Sequence, residues 1–307
     1  VSVQQTDPLE DVLTLVGTTS HLSVGLVAGG EWALSFEPPP AVKFNAVRRG
    51  HCLLTVDGVP EPIELAEGDC FLLTRPRAFT LASGPEVRPI PAGPVFEAAV
   101  DGRARAGTGE DVIFIGGRFD FGERAQELLL DALPPVIHVP GRTAEAATVR
   151  WALDQIDAEL RDRPIASALV TEHLALVMLI HVLRLHLAGP GSASGWLAGL
   201  TDPVVAPALG AMHARPAHAW TVAQLAEVAA VSRSTLAARF KHAVGQGPLD
   251  YLTGWRIELA AERLRRGDET MAAIAREVGY GSESALSNAF KRVTGASPRD
   301  YRRRISP

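Results

Sequence analysis

Cations and small polar side chains recur near the end of this sequence at spacings that a helix would turn to one side. Ser232, Arg233, Ser234 and Lys241 form one set. Ser284, Ser287, Asn288, Lys291 and Arg292 form another about fifty residues on. Positions 233, 234, 237, 238 and 241 share a helical face, as do 283, 284, 287, 288 and 291. Arg and Lys bring charge and N–H donors; Ser and Asn bring short, directional hydrogen bonds. That is the chemistry of gripping an anionic lattice rather than of making or breaking bonds. The charge balance agrees: residues 201–307 hold 15 Lys and Arg against 10 Asp and Glu, whereas residues 1–200 hold 15 against 25. An acidic module joined to a basic one suits a polyanionic partner.

The elements that must position these residues are helices in pairs. Val222 to Val231 is followed by Ser232 and a helix with Leu236 and Phe240; Met271 to Gly281 is followed by Ser282 and a helix with Leu286 and Phe290. An offset of fifty residues superposes Glu227 on Glu277, Val228 on Val278, Ser232 on Ser282, Leu236 on Leu286, Phe240 on Phe290, Lys241 on Lys291 and Gly245 on Gly295, and sets Ala226 against Arg276. The serines cap the second helix of each pair. Leu236/Phe240 and Leu286/Phe290 are i, i+4 anchors, Ala226 and Ala275 permit a close crossing, and Gly279 can take a positive backbone angle at the turn. Helices are expected near 203–214, 221–229, 232–243, 248–266, 270–277, 282–293 and 297–304. The long one at 248–266 opens on proline and can hold the two pairs about 34 Å apart, one turn of a duplex.

With these residues assembled, the segment resembles the DNA-binding domain of the AraC/XylS family. Leu225-Ala226, Ser232, Leu236, Phe240, Arg256-Ile257, Ala260 to Leu264, Ile274-Ala275, Gly279-Tyr280, Phe290-Lys291-Arg292 and Gly295-Ala296-Ser297-Pro298 with Tyr301-Arg302 carry the resemblance. It implies double-stranded DNA as partner, with RNA polymerase as a further one. It also implies base reading from Ser234, Ala237 and Ala238 in the first unit and Ser284, Ser287 and Asn288 in the second. Many relatives have Arg where this chain has Ala238 and Asn288. Alanine can touch a thymine methyl and asparagine can pair with adenine. Arg233, Lys241, Lys291 and Arg292 suit phosphate contacts, which position rather than specify.

Residues 9–120 carry short apolar runs at 32–36, 42–47, 51–56, 62–65, 70–73, 79–81 and 112–115, cut by Gly and Pro, and so are expected to be β-rich. Residues 85–109 are expected to be a long loop. Gly50 to Gly58, Leu65 to Leu73 and Pro76, with Gly116-Gly117-Arg118-Phe119 and Leu133 to Ile137 beyond, resemble a cupin-type sensory domain. Metal cupins gather histidines and a carboxylate; this chain has Phe79 at one such place and Asn45 near another. His51 and Cys52 point to opposite faces of their strand and make poor joint ligands. No metal or cofactor is therefore expected, and Asn45, Val47 and Phe79 are the candidate lining of an effector pocket.

Cys52 and Cys70, the two cysteines, are expected on neighbouring strands; they are small buried hydrophobes or a redox pair. Their scarcity suits a reducing cytoplasm. The N-terminal ten residues lack a basic stretch followed by an apolar core, so no signal peptide is expected. The apolar run 174–180 is too short to span a bilayer, so no membrane partner is expected.

The expected fold is α+β and multidomain: a cupin-like β-barrel at 1–122, a helical dimerisation region at 123–188, a flexible linker at 189–195, and an all-α domain with two helix-turn-helix units at 196–307. Val149, Leu153, Ile156 and Leu160 make an apolar stripe offered to a second copy. The function read from all this is a non-enzymatic, sequence-specific transcription regulator, dimeric and controlled by a small effector. The alternatives are a metal-dependent cupin enzyme with a helical appendage and a thiol-based redox regulator.

Overall fold

β-Branched and aromatic runs too short to form helices, each ended by Gly or Pro, pair into two sheets. The computed structural model describes residues 7–122, 125–189, 195–267 and 269–305. Its strands are β1 (Thr19–Leu22), β2 (Gly25–Gly29), β3 (Ala33–Phe36), β4 (Val42–Arg49), β5 (His51–Val56), β6 (Ile63–Ala66), β7 (Cys70–Leu73), β8 (Phe79–Ala82), β9 (Ile90–Pro91), β10 (Arg103–Gly107), β11 (Val112–Asp120) and β12 (Val136–Val139). Its helices begin with α1 (Pro8–Leu15), α2 (Ala92–Glu97), α3 (Ala125–Leu128), α4 (Ala147–Asp162), α5 (Ser167–Ala188) and α6 (Gly195–Thr201). They continue with α7 (Val205–Ala214), α8 (Val222–Val228), α9 (Arg233–Val244), α10 (Pro248–Arg266), α11 (Met271–Glu277), α12 (Glu283–Thr294) and α13 (Pro298–Ile305).

The chain divides into two units, Val16–Ser192 and a second made of Val1–Leu15 with Ala193–Pro307. In the first, one sheet runs β10-β2-β11-β4-β7-β12, with β1 also on β11, and the other runs β6-β5-β8-β3-β9. Leu26, Phe71, Leu73 and Phe114 from the first sheet and Leu34, Leu54, Phe79 and Leu81 from the second share one core. The sheets face each other without closing, so the expected barrel is an open two-sheet cupin.

Three local expectations change. Residues 85–109 hold β9, α2 and β10 instead of a long loop, because Ile90 and the stretch from Arg103 pair in parallel with β3 and β2. β12 interrupts the stretch expected to be helical, adding to β7 through Val136 to Val139. The first helix leaves the sheet unit altogether and belongs with the C-terminal residues. Of the expected linker at 189–195, residues 190–194 lie outside the described residues.

Asp69 shows how the turn before β7 is fastened. It is buried, and its carboxylate accepts from the backbone N–H of Ala66 at 3.0 Å and of Gly141 at 2.8 Å while meeting His138 Nε2 at 3.0 Å. A buried charge is tolerated when its lone pairs are filled in this way.

The apolar stripe on α4 does not face outward. Val149, Leu153 and Ile156 are all buried, packed with α5 of the same chain, and of the four only Leu160 is exposed. α5 has the length and composition to cross a bilayer. Its Thr171, Ala175, Met178, Leu179, Val182 and Leu183 form the buried side, and the helix packs on α4, β1 and β12.

The second unit is helical and holds two cores. Leu209, Met212, Leu225, Leu236, Phe240 and Leu252 form the first; Ile257, Leu264, Ile274, Leu286 and Phe290 form the second. α10 serves both, its first half in one and its second half in the other. At 1.5 Å per residue its 19 residues make a rod of roughly 28 Å. The seven helices expected from residue 203 onward are all present, within two residues at each end.

Candidate nucleic-acid interface

Each helix pair is built by caps and a tight turn. Thr221 opens α8 with a reciprocal box: its hydroxyl accepts from Gln224 N–H, and Gln224 Oε1 accepts from Thr221 N–H at 2.9 Å. Thr270 opens α11 by accepting from Ala273 N–H. Ser232 and Ser282 open α9 and α12 by accepting from Thr235 and Ala285 N–H, each at 3.1 Å. Gly245 and Gly295 close those helices at φ 86° and 75°.

The hydrogen bonds of the two turns correct the register of the repeat. Val231 N–H donates to Ala226 O and Tyr280 N–H to Ala275 O. Ala226 therefore matches Ala275, not Arg276. The offset is 49 residues through the first helix of each pair and 50 through the second, with the extra residue in the second turn. This register sets Ala230, at φ 54°, against Gly279, at φ 85°. The repeat also runs further than the sequence comparison reached. Phe240 meets Tyr251 edge-on at 5.8 Å, and Phe290 meets Tyr301 in the same way at 5.3 Å. Pro248 and Pro298 open the helices that carry those tyrosines.

The candidate contact residues are placed as follows. Arg233, Ser234, Ala237, Ala238 and Lys241 are exposed on α9, and Ser284, Asn288, Lys291 and Arg292 are exposed on α12. Ser287 is half-buried. The Ser232 hydroxyl is committed to its cap and lies 2.9 Å from Ser234 Oγ, so it shapes the helix start more than it offers a free donor.

Two groups escaped the sequence reading. Arg239, on α9, is held by Asp202 at 2.7 Å, and that pairing holds the Asp202 carboxyl below its usual range despite partial burial. Glu283 is exposed in the first turn of α12, where the first unit has Arg233. A carboxylate there repels phosphate and can accept from a cytosine amino group. The fifty-residue offset already sets it opposite Arg233. No local sequence signal pairs Arg239 with Asp202.

Much of the basic charge of this unit is internal. Arg256 donates to Pro216 O and His218 O, both at 2.7 Å, and its guanidinium lies 5.8 Å from the Tyr280 ring centre. One arginine thus ties the segment before the first helix pair to the turn of the second. Arg263 pairs with Glu269 and Glu277, and Arg265 with Glu262 and the Tyr301 hydroxyl.

The unit is also clamped by α1. His213, fully enclosed, meets Asp11 Oδ2 through Nδ1 at 2.9 Å and the Tyr251 hydroxyl through Nε2 at 2.7 Å, stacked 4.2 Å from Trp255. A carboxylate acceptor at Nδ1 selects the ring tautomer that accepts from Tyr251.

In the sheet unit, Asn45 lines a small inner chamber and Phe79 a larger cleft, whereas Val47 is fully buried in the core and lines neither. Cys52 and Cys70 sit on strands of different sheets, not on neighbouring strands. Both are free and buried, and burial, with Asp69 nearby, pushes both thiols up to about 12. Thiols held protonated react poorly as nucleophiles, so the geometry speaks against a redox pair. Among the described residues no three of His, Cys, Asp and Glu gather as a metal site.

Comparison with known proteins agrees with this geometry. A cupin family profile matches residues 7–188, and a helix-turn-helix domain profile matches residues 225–304. An AraC-like transcription regulator of Streptomyces lividans is 67% identical over 298 residues, which is 97% of this chain and 98% of that protein. Another, of Streptomyces antibioticus, is 67% identical over 302 residues, covering 98% and 100%. The crystal structure of the DNA-binding domain of AdpA with a target DNA is 31% identical, with a TM-score of 0.32, and covers 34% of this chain and 93% of that one. The chain belongs to the AraC-like transcription regulators: it joins a cupin domain to a helix-turn-helix DNA-binding domain.

Proposed function

We propose that this regulator reads a specific operator with α9 and α12 and that a small effector in the cupin unit adjusts its grip. The observation that carries the DNA half of this reading is the pair of capped helices with Arg233, Lys241, Asn288, Lys291 and Arg292 exposed. Asn288 is the base reader of the second unit and Ala237 and Ala238 touch thymine methyls in the first; the cations hold phosphates. Within the proposed domain plan, the sensor spans the two sheets with α4 and α5, and the DNA-binding part runs from about residue 196. A regulator works where the DNA is, so the bacterial cytoplasm is its proposed compartment.

Selection of bound sequences from a random DNA pool with the full chain tests this reading. Wild type is expected to return a motif with an adenine that Asn288→Ala loses, a discrimination worth roughly 1–3 kcal/mol. An unchanged motif would remove Asn288 from the readout.

A homodimer remains part of the proposal, on a different face from the one the sequence suggested. Because Val149, Leu153 and Ile156 are internal, aspartate there would unfold the protein instead of separating two copies. The outward apolar residues are Trp151, Leu160, Ile165, Leu169, Val170 and Val177, on α4, α5 and the turn between them. Exposed apolar side chains grouped on two helices that pack together support an interface with a second copy. Sedimentation at micromolar concentration is expected to show a dimer that the Leu169→Asp, Val170→Asp double variant converts to a folded monomer. A wild type that stays monomeric with and without a two-half-site operator would end the idea.

A further inference from the structure

The effector reading leaves the ligand's chemistry open, and the cleft between the two sheets narrows it. The cleft has a volume of about 460 Å³, and Phe36, Phe79, Pro91 and Pro94 supply much of its apolar wall. Phe36 is stacked on Phe79 at 4.4 Å and meets Phe96 edge-on at 5.8 Å, so the wall is stiff and flat. That volume lies in the range of small-molecule sites. Phe36 and Lys43 line both this cleft and the inner chamber behind it, which is closed by Asn45, Leu26, Leu81, Phe114 and Gly116.

The polar groups are lopsided. Lys43 reaches in from β4 and donates to Ser23 Oγ at 3.0 Å; among the described residues no carboxylate lies within ion-pairing distance of it. Arg118, on β11, lines the same cleft and pairs at 2.9 Å with Asp120, which does not line it and lies 3.4 Å from His21. Asn45 is 9% exposed, and its amide nitrogen meets no acceptor among the described residues. Gly116 stands beside it with no Cβ, which leaves room for the Asn45 amide. The acid of the lining is Glu37, exposed at the rim. Lys43 stands where the two spaces meet, with the Arg118 guanidinium lining the cleft and the unused Asn45 amide N–H lining the chamber. Buried donors without acceptors carry a desolvation cost that a ligand acceptor would remove.

Resting on the effector reading above, we infer that this cleft binds a small organic anion, its carboxylate on Lys43 and Arg118 and its flat or short aliphatic body against Phe36 and Phe79. A cationic ligand would meet two like charges, and a neutral polyol would leave the apolar wall wet and the cations unanswered. Burial and then the Arg118 charge lower the Lys43 ammonium to about 8. It is therefore mostly charged near neutrality, and an arriving anion strengthens its hold on the proton.

The test uses the full chain and calorimetric titration with phenylacetate and hexanoate, against phenylacetamide and hexanamide of the same shape. Both carboxylates are expected to bind at about pH 7, each at least about tenfold more tightly than its amide. Binding is expected to weaken by about pH 9.5, where Lys43 of the free protein has lost its proton; Arg118, Glu37, Asp120 and His21 are the other charged or titratable groups around it. Lys43→Met is expected to bring the carboxylates down to the amide level, and Lys43→Arg to restore them. Far-ultraviolet circular dichroism checks that both variants fold. If Lys43→Met does not fold, the pH dependence and the carboxylate-to-amide ratio of wild type decide. Equal binding of amide and carboxylate, no binding of either carboxylate at millimolar concentration, or carboxylate affinity unchanged in a folded Lys43→Met would each overturn the anion assignment. Operator affinity, measured alongside, separates the two readings. Amides that bind as well as carboxylates and shift DNA affinity would leave the effector reading standing and the anion class lost. Carboxylates that bind at Lys43 without shifting DNA affinity would leave the anion site and remove the effector role.

Discussion

Raising salt from about 50 to about 200 mM is expected to weaken operator binding by roughly 150-fold. Arg233, Lys241, Lys291 and Arg292 are exposed on α9 and α12. Four phosphate contacts release counterions with a log–log slope of about −3.6, and a fourfold change in salt then gives that factor. The factor is set by the cations free to meet phosphate. Formal charge in this half overstates the supply, because Arg239, Arg256, Arg263 and Arg265 are engaged by Asp202, by two carbonyls, by Glu269 and by Glu262. Lys241→Ala is expected to make the slope shallower by about 0.9 and to weaken operator and random DNA alike. Fluorescence anisotropy of the full chain on a labelled operator across that salt range measures both. A slope near −1, or a Lys241→Ala variant that loses only the specific complex, would mean that these cations are not on phosphates.

How much of this was legible depended on whether the signal was local. The helices from residue 203 onward could be read because their signals are local: side-chain caps open α8, α9, α11 and α12, Pro248 opens α10, and i, i+4 anchors such as Leu236 with Phe240 mark the buried face. The register within the turns could not, since one extra residue at Gly281 shifts the offset from 49 to 50 without altering composition. The α1 helix was lost inside an apparently β-rich stretch because its stability is tertiary. Leu9 and Val12 are buried and Asp11 answers His213, 202 residues away. β9 and β10 were equally hidden, being short strands that exist by parallel pairing with β3 and β2. The α4 stripe misled for the same reason. Periodicity names an apolar face but not its partner, and here the partner is α5. In the sensor, Asn45 and Phe79 line the cavities, but Lys43 and Arg118 show their importance only when β4 and β11 lie side by side, with Lys43 opposite Arg118.

The turn register carries the second large expectation, a pair of substitutions with opposite signs. Gly279 and Ala230 occupy the same place in the two helix pairs, both with positive φ, yet one is glycine and the other is not. A Cβ at Gly279 would lie 2.6 Å from Ala217 O and 2.7 Å from Ala217 Cα. That backbone cannot easily yield, because Arg256 holds the carbonyls on either side of Ala217, Pro216 O and His218 O, at 2.7 Å each. Gly279→Ala therefore combines left-handed strain of about 1–2 kcal/mol with overpacking of about 1–3 kcal/mol. A loss of roughly 2–5 kcal/mol is a large share of a domain's stability and should lower Tm by ten degrees or more. Ala230→Gly does the reverse. It removes a similar strain at the cost of about 0.5–1 kcal/mol of backbone entropy, for a net gain between zero and about 1.5 kcal/mol. Thermal unfolding of the full chain, followed through the helical signal, measures both. Wild-type stability in Gly279→Ala would show that the segment around Ala217 is not held as the Arg256 hydrogen bonds require. A destabilised Ala230→Gly would show that the left-handed alanine carries no strain and that the two turns are not equivalent.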